Sequence, residues 1–236
     1  QVVPILRFAI ENIDVTSGIS YQPVALTGRV SHEERRRLRY TIPDLVHAIS
    51  DAGYTATGDW YPLSLVSPIS KFISAMREDP TVHMTCHPHC SMGTYLAIEP
   101  ATKRGVPVTQ FIDVERMFTA LDERSARMAK ARFKVFQKAG AFSDLRSFFK
   151  PEGAPEGMNF AKFARTLQGL LDKKVGRGPQ ADTYKMLLVA GMHFMDGYNY
   201  ELERVRRCLI HYATPAGRVI PFCAYNGGHY LRERIE

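Results

Sequence analysis

The chain has 236 residues, 45% hydrophobic and 23% charged, enough to bury a core without disulfide staples. Its formal charge of +7 permits attraction to anionic partners but demands none, and no nucleic-acid partner is expected. Four cysteines are too few for a secreted disulfide framework, and no apolar run approaches the roughly 20 residues of a membrane span. The expected setting is therefore soluble, reducing and cytoplasmic. The first residue is Gln1 rather than Met, so a processed chain or a piece of a longer one is expected.

In chain order, Val2 to Ile10 is a nearly continuous apolar run and predicts a strand buried on both faces. Ile19 to Leu26 predicts a second strand. Ser31 and Glu34 have capping-box spacing before a basic turn, Arg35, Arg36, Arg37 and Arg39. Thr41 and Pro43 open a helix whose apolar face is Leu45, Val46 and Ile49, stopped near Gly53. A short helix is expected from Pro68 and a strand over Thr94 to Ile98. Asp113 to Lys138 carries the longest helical stripe, ended by Gly140. A loop over Pro151 to Gly157, a helix over Asn159 to Leu171 and a second loop, "GRGPQAD", follow. Met186 to Met195 reads as a buried strand, Tyr200 to Arg207 as a short helix, and the remainder as a strand pair.

That strand pair centres on "TPAG". With Pro215 and Ala216 as the loop residues, Tyr212 faces Val219, Ile210 faces Pro221 and Cys208 stands opposite Cys223, both thiols leaving one face. The other two cysteines, Cys86 and Cys90, lie in "TCHPHC", Thr85 to Cys90. Spacing alone leaves several readings of the four thiols open. They suit a zinc or iron–sulfur site, a Cys208–Cys223 disulfide that a reducing setting disfavours, or four unrelated buried thiols. His87 and His89 either ligate a metal or donate hydrogen bonds from a loop stiffened by Pro88.

Several segments occur together in a familiar order: "RFAIENID", "GISYQPVALTGR", "RYTIPDL", "YPLSLVSPISKF", "TCHPHCSMGTYL", "GMHFMDGYNYELERVRRC" and "YNGG". On these, the chain resembles the C-terminal part of radical S-adenosylmethionine (SAM) proteins of the tetraether lipid synthase-like group. The resemblance implies an α/β fold. Residues 1–112 would be the second half of a partial (β/α) TIM-like barrel, and residues 113–236 a mixed helical and β-hairpin auxiliary-cluster domain. It implies a missing N-terminal barrel half with the Cys-x3-Cys-x2-Cys loop that cleaves SAM, since no such triple occurs here. The expected cofactors are thus an auxiliary [4Fe–4S] cluster on Cys86, Cys90, Cys208 and Cys223, with SAM bound by the full-length parent.

The implied activity is abstraction of hydrogen from an unactivated C–H bond of a lipid chain, followed by carbon–carbon bond formation. The partners would be a lipid or other small-molecule substrate, an external electron donor and, through a basic mouth at Arg35 to Arg39, a peripheral membrane contact. The alternatives are radical SAM methyl transfer to a pterin-type or other small substrate, and a non-catalytic metal- or cluster-binding module. Barrel geometry points to Glu11, Asn12 and Gln22 as cofactor contacts near strand ends. Asp196 and Asn199 are accounted for as helix caps.

Overall fold

The structure, a computed structural model, describes residues 1–26, 30–77, 85–130, 145–171 and 184–227. Its sheet is built on two long strands, β3 (Ser91–Ile98) and β5 (Lys185–Met192), antiparallel in a register running from Ser91↔Met192 to Ile98↔Lys185. Strand β1 (Gly18–Tyr21) lies parallel to the other side of β5. Strands β2 (Tyr61–Pro62) and β4 (Gly105–Pro107) pair antiparallel with β3.

Helices cover both faces because the residues of β3 and β5 alternate in direction. Leu96, Ile98, Leu187 and Val189 face α1 (Val2–Glu11) and α3 (Ile42–Asp51), meeting Leu6, Ile10, Leu45 and Ile49. Tyr95, Ala97 and Met186 face the opposite layer. That layer contains α4 (Ser67–Arg77), α5 (Val108–Phe111), α6 (Val114–Lys130) and α7 (Phe160–Leu171), with Phe72, Phe111, Phe118 and Phe163 at its centre.

This arrangement corrects the expected half-barrel. A (β/α) barrel needs parallel strands that close on one another. Among the described residues only β1 and β5 pair in parallel, and the sheet they form ends at β1 on one side and β2 on the other. The layering is that of an open, doubly covered α/β sheet, Rossmann-like in character. Its central strand β5 comes from the second half of the chain and bonds to β1 and β3 from the first.

The first apolar run is a helix, α1, not a strand. Leu6, Ala9 and Ile10 are buried, whereas Ile5 and Phe8 stand exposed. An apolar residue on the wet face fills in the gaps of a helical stripe and makes it look continuous. The cap signals further on hold in detail. In α2 (His32–Leu38), Ser31 Oγ accepts the Glu34 N–H at 3.1 Å. Before α3, Asp44 Oδ2 accepts from the Thr41 N–H at 2.8 Å and from Thr41 Oγ1 at 2.7 Å. Gly53 follows α3 with φ +80°, a left-handed exit that glycine adopts without steric cost. The expected helix end at Gly140 and the "GRGPQAD" loop lie outside the described residues.

The C-terminal segment comprises α8 (Leu202–Arg206), β6 (His211–Ala213), β7 (Val219–Pro221) and α9 (Phe222–Gly227). Its hairpin register is His211↔Pro221, Tyr212↔Ile220 and Ala213↔Val219, one residue away from the expected pairing. The turn is wider than two residues. Thr214 N–H reaches Arg218 O at 2.9 Å, and Gly217 takes φ +74°. One step of register removes the direct opposition of Cys208 and Cys223. Cys223 instead enters the first turn of α9, and Cys208 follows α8.

Candidate functional site

Strands β1 and β5 run side by side in the same direction, and the segments leaving their carboxyl ends converge. In open α/β sheets this edge is the usual location of a ligand crevice. Beyond β1 the chain reaches α2, bringing Arg35 and Arg39. Beyond β5 come His193, Asp196 and Tyr198, then Arg204 on α8. The Thr85–Cys90 loop enters from the start of β3. Its Cys90 carbonyl accepts the His193 N–H at 3.1 Å, which extends the β3–β5 ladder into the site.

Asp196 is buried and paired with Arg39. Burial alone would raise its carboxyl. The Arg39 hydrogen bond, the Tyr198 N–H at 2.8 Å and the charges of Arg39 and Arg35 outweigh that effect and hold it below the ordinary carboxylate range. Asp196 N–H itself donates to Asn199 Oδ1 at 2.7 Å, so these two residues organise the loop rather than cap α8. The residue that precedes α8, Glu201, makes no side-chain cap bond.

His193 is pushed down to about 4, first by burial and then by the charges of Arg204, Arg39 and His89. It is therefore a neutral imidazole at physiological pH. Nδ1 accepts the Ile42 N–H at 3.3 Å, one of the unsatisfied donors at the start of α3, which leaves the proton on Nε2. Arg35 is buried, stacks over the Tyr198 ring at 4.2 Å, and has an Nε without a hydrogen-bond partner among the described residues. The basic turn is thus divided. Arg35 and Arg39 are built into the site, and Arg36 and Arg37 are exposed.

Arg204 is the hub for the thiols. Its Nε donates to Cys90 Sγ at 3.3 Å and its Nη2 to the His193 carbonyl at 3.0 Å. Cys223 Sγ accepts the Met195 N–H at 3.4 Å. Burial raises the Cys223 thiol, and the nearby Cys208 and Cys90 push it further in that direction against the Met195 N–H and Arg204. These three cysteines therefore share one electrostatic neighbourhood. Cys86 Sγ lies 3.3 Å from Ser91 Oγ and Cys208 Sγ donates to Ile210 O at 3.0 Å.

Shared surroundings are not a shared ligand set. Among the described residues, one group of His, Cys, Asp or Glu has three ligand atoms mutually within 4.8 Å, and it is His87, His89 and Glu201, with no cysteine in it. The expected four-thiolate [4Fe–4S] centre is corrected on this ground, because each thiol is turned toward its own partner. Of the other expected contacts, Gln22 is exposed immediately after β1, at the converging edge. Glu11 and Asn12 lie at the end of α1, before β1 begins, with Asn12 Nδ2 bonded to Phe8 O at 2.8 Å. The structure does not bring these three together. His193, Asp196 and Arg204 carry no local sequence signal, since their partners lie more than a hundred positions away or are backbone atoms.

A second concave feature lies beside β2. This cleft of about 190 Å³ is lined by Trp60, Tyr61, Thr109, Asp113, Phe118 and Lys150 among others. Aromatic, aliphatic and polar side chains line it together, Leu65, Ile112 and Val114 among the aliphatic ones.

No protein-family model matches the chain. Over the whole of its length, however, it is 35% identical to the 7,8-dihydro-6-hydroxymethylpterin dimethyltransferase of Methanocaldococcus jannaschii. The likeness is to a pterin methyltransferase. The chain spans 46% of that protein's length. This finding corrects the resemblance to the tetraether lipid synthase-like group, and with it the radical SAM and lipid-coupling activity that the resemblance implied. No helix among the described residues is long and apolar enough to cross a membrane.

Proposed function

We propose that the chain is part of a SAM-using methyltransferase that acts on a reduced pterin or a closely related small heterocycle. The observation that carries this reading is the 35% identity to a pterin dimethyltransferase in an alignment that covers the whole chain. Two features of the molecule support it. At the strand ends, the buried carboxylate of Asp196 is paired with Arg39 and feels the charge of Arg35, while Arg204 reaches the neighbouring His193 carbonyl. The positive balance suits the methionyl carboxylate of SAM, and the neutral His193 offers an Nε2–H donor. In the cleft beside β2, Trp60, Tyr61 and Phe118 present ring surfaces, and Asp113 presents a carboxylate. A fused pterin ring stacks on such surfaces, and Asp113, whose Oδ1 accepts the Arg116 N–H at 3.3 Å and whose Oδ2 lies 3.9 Å from Lys150 Nζ, supplies a carboxylate acceptor for the ring's donors.

The test is to incubate the full-length parent with SAM labelled in the methyl group and a reduced hydroxymethylpterin, with oxygen excluded and again without exclusion. Label recovered in the pterin supports the proposal. Turnover of SAM with no label in the pterin overturns the substrate assignment. In the same assay Asp113→Asn is expected to raise KM for the pterin by about tenfold, the cost of one charge-assisted hydrogen bond.

A further inference from the structure

We propose that His87, His89 and Glu201 form a site for a first-row divalent metal ion, with Zn²⁺ as the simplest occupant, that fastens the Thr85–Cys90 loop to the start of α8. The ligand atoms of these three residues already lie within 4.8 Å of one another. Ligands of a tetrahedral zinc ion with bonds of 2.0–2.2 Å sit about 3.4 Å apart, and rotation of the imidazole and carboxylate groups closes that difference. The loop is shaped for the purpose. Pro88 presets the first position of a 3-10 turn, Cys90 N–H closes it on His87 O at 2.9 Å, and the two rings emerge with centroids 4.7 Å apart. His87 Nδ1 accepts the His89 N–H at 3.2 Å, the long end of the normal range, so coordination there displaces only a weak contact. Glu201 occupies the position before α8, and its side chain makes no cap bond to the helix.

The donor set decides the ligand class. Two imidazole nitrogens and one carboxylate oxygen favour Zn²⁺, Co²⁺, Ni²⁺ or Fe²⁺ over Ca²⁺ or Mg²⁺, which take oxygen shells. The neighbouring thiols are engaged elsewhere, Cys86 with Ser91 and Cys90 with Arg204. Three protein ligands leave a coordination position open to water or to a small molecule.

The site is tested by stripping the full chain with chelator and titrating it with Co²⁺. One ion per chain is expected, with weak visible d–d bands and no intense near-ultraviolet thiolate-to-cobalt band. His89→Ala and Glu201→Gln should each weaken binding by at least about tenfold, and Glu201→Asp should recover part of the loss. An intense thiolate band that disappears in Cys90→Ser overturns the proposal and assigns the metal to the cysteines. Unchanged affinity in Glu201→Gln, or no saturable binding, also overturns it.

Discussion

The apolar layer under α1 and α3 and the polar cluster at the strand ends are built on the same strand, β5, only a few residues apart. They hold together by different means. In the layer, Leu6, Ile49, Leu96, Ile98, Leu187 and Val189 are fully buried and need no partner of particular chemistry, only volume. In the cluster, Asp196 is neutralised by Arg39, His193 Nδ1 accepts the Ile42 N–H, and Arg204 donates to Cys90 Sγ and to a carbonyl. A buried polar group is tolerable only when its partner is present. The layer therefore resists exchange of one apolar residue for another, whereas the cluster fails as a unit when one member is lost.

The comparison is open to breaking by mutation. The largest loss of stability is expected from Phe111→Ala in the opposite apolar layer, about 3–5 kcal/mol by denaturant titration, because a fully buried ring leaves a cavity. A loss below about 1 kcal/mol would mean that this layer collapses around the gap. Asp196→Asn should cost about 2 kcal/mol by leaving Arg39 without its counter-charge, less than a fully buried pair because Arg39 is 30% exposed. Its pH signature sharpens the assignment. The native carboxyl titrates below its ordinary value of 3.8. Its contribution is thus complete above that value and lost as the pH falls through the lower native one, a loss that Asp196→Asn should abolish.

His193 gives a second window. Its native value of about 4 lies below the unfolded 6.5. Between these values the unfolded chain takes up a proton that the native state refuses, so stability declines as the pH drops from 6.5 toward 4. His193→Gln should flatten that slope, and an unchanged slope would assign it to other groups. Ser31→Ala, which removes the α2 cap, should cost about 1 kcal/mol. Smallest of all, Lys71→Ala should change stability by less than about 0.5 kcal/mol, since the Lys71–Asp122 pair is close to half exposed at both ends.

What the sequence makes legible follows the same division. The start of α3 is written in Thr41, Pro43 and Asp44, all within one turn, and the caps of α2 and the exit at Gly53 are equally local. Strands β3 and β5 are visible as apolar runs. Helix α1 is misleading because Ile5 and Phe8 are apolar on its exposed face. The hairpin register turns on whether two or more residues form the bend, and Pro215 with Gly217 suits either count. Sheet closure depends on strand direction, which composition does not encode. At the site, the importance of Asp196 arises from Arg39, 157 positions earlier, and no spacing rule spans that distance. The basic turn signals positive charge but not which of its arginines face inward.

The two bonds of Arg204 have a mechanical result. The guanidinium is rigid and planar, and it grips the cysteine loop with one nitrogen and the exit of β5 with another. Tilting of α8 is therefore transmitted to both segments at once, so a molecule that moves the helix re-aims the loop and the imidazole in a single displacement.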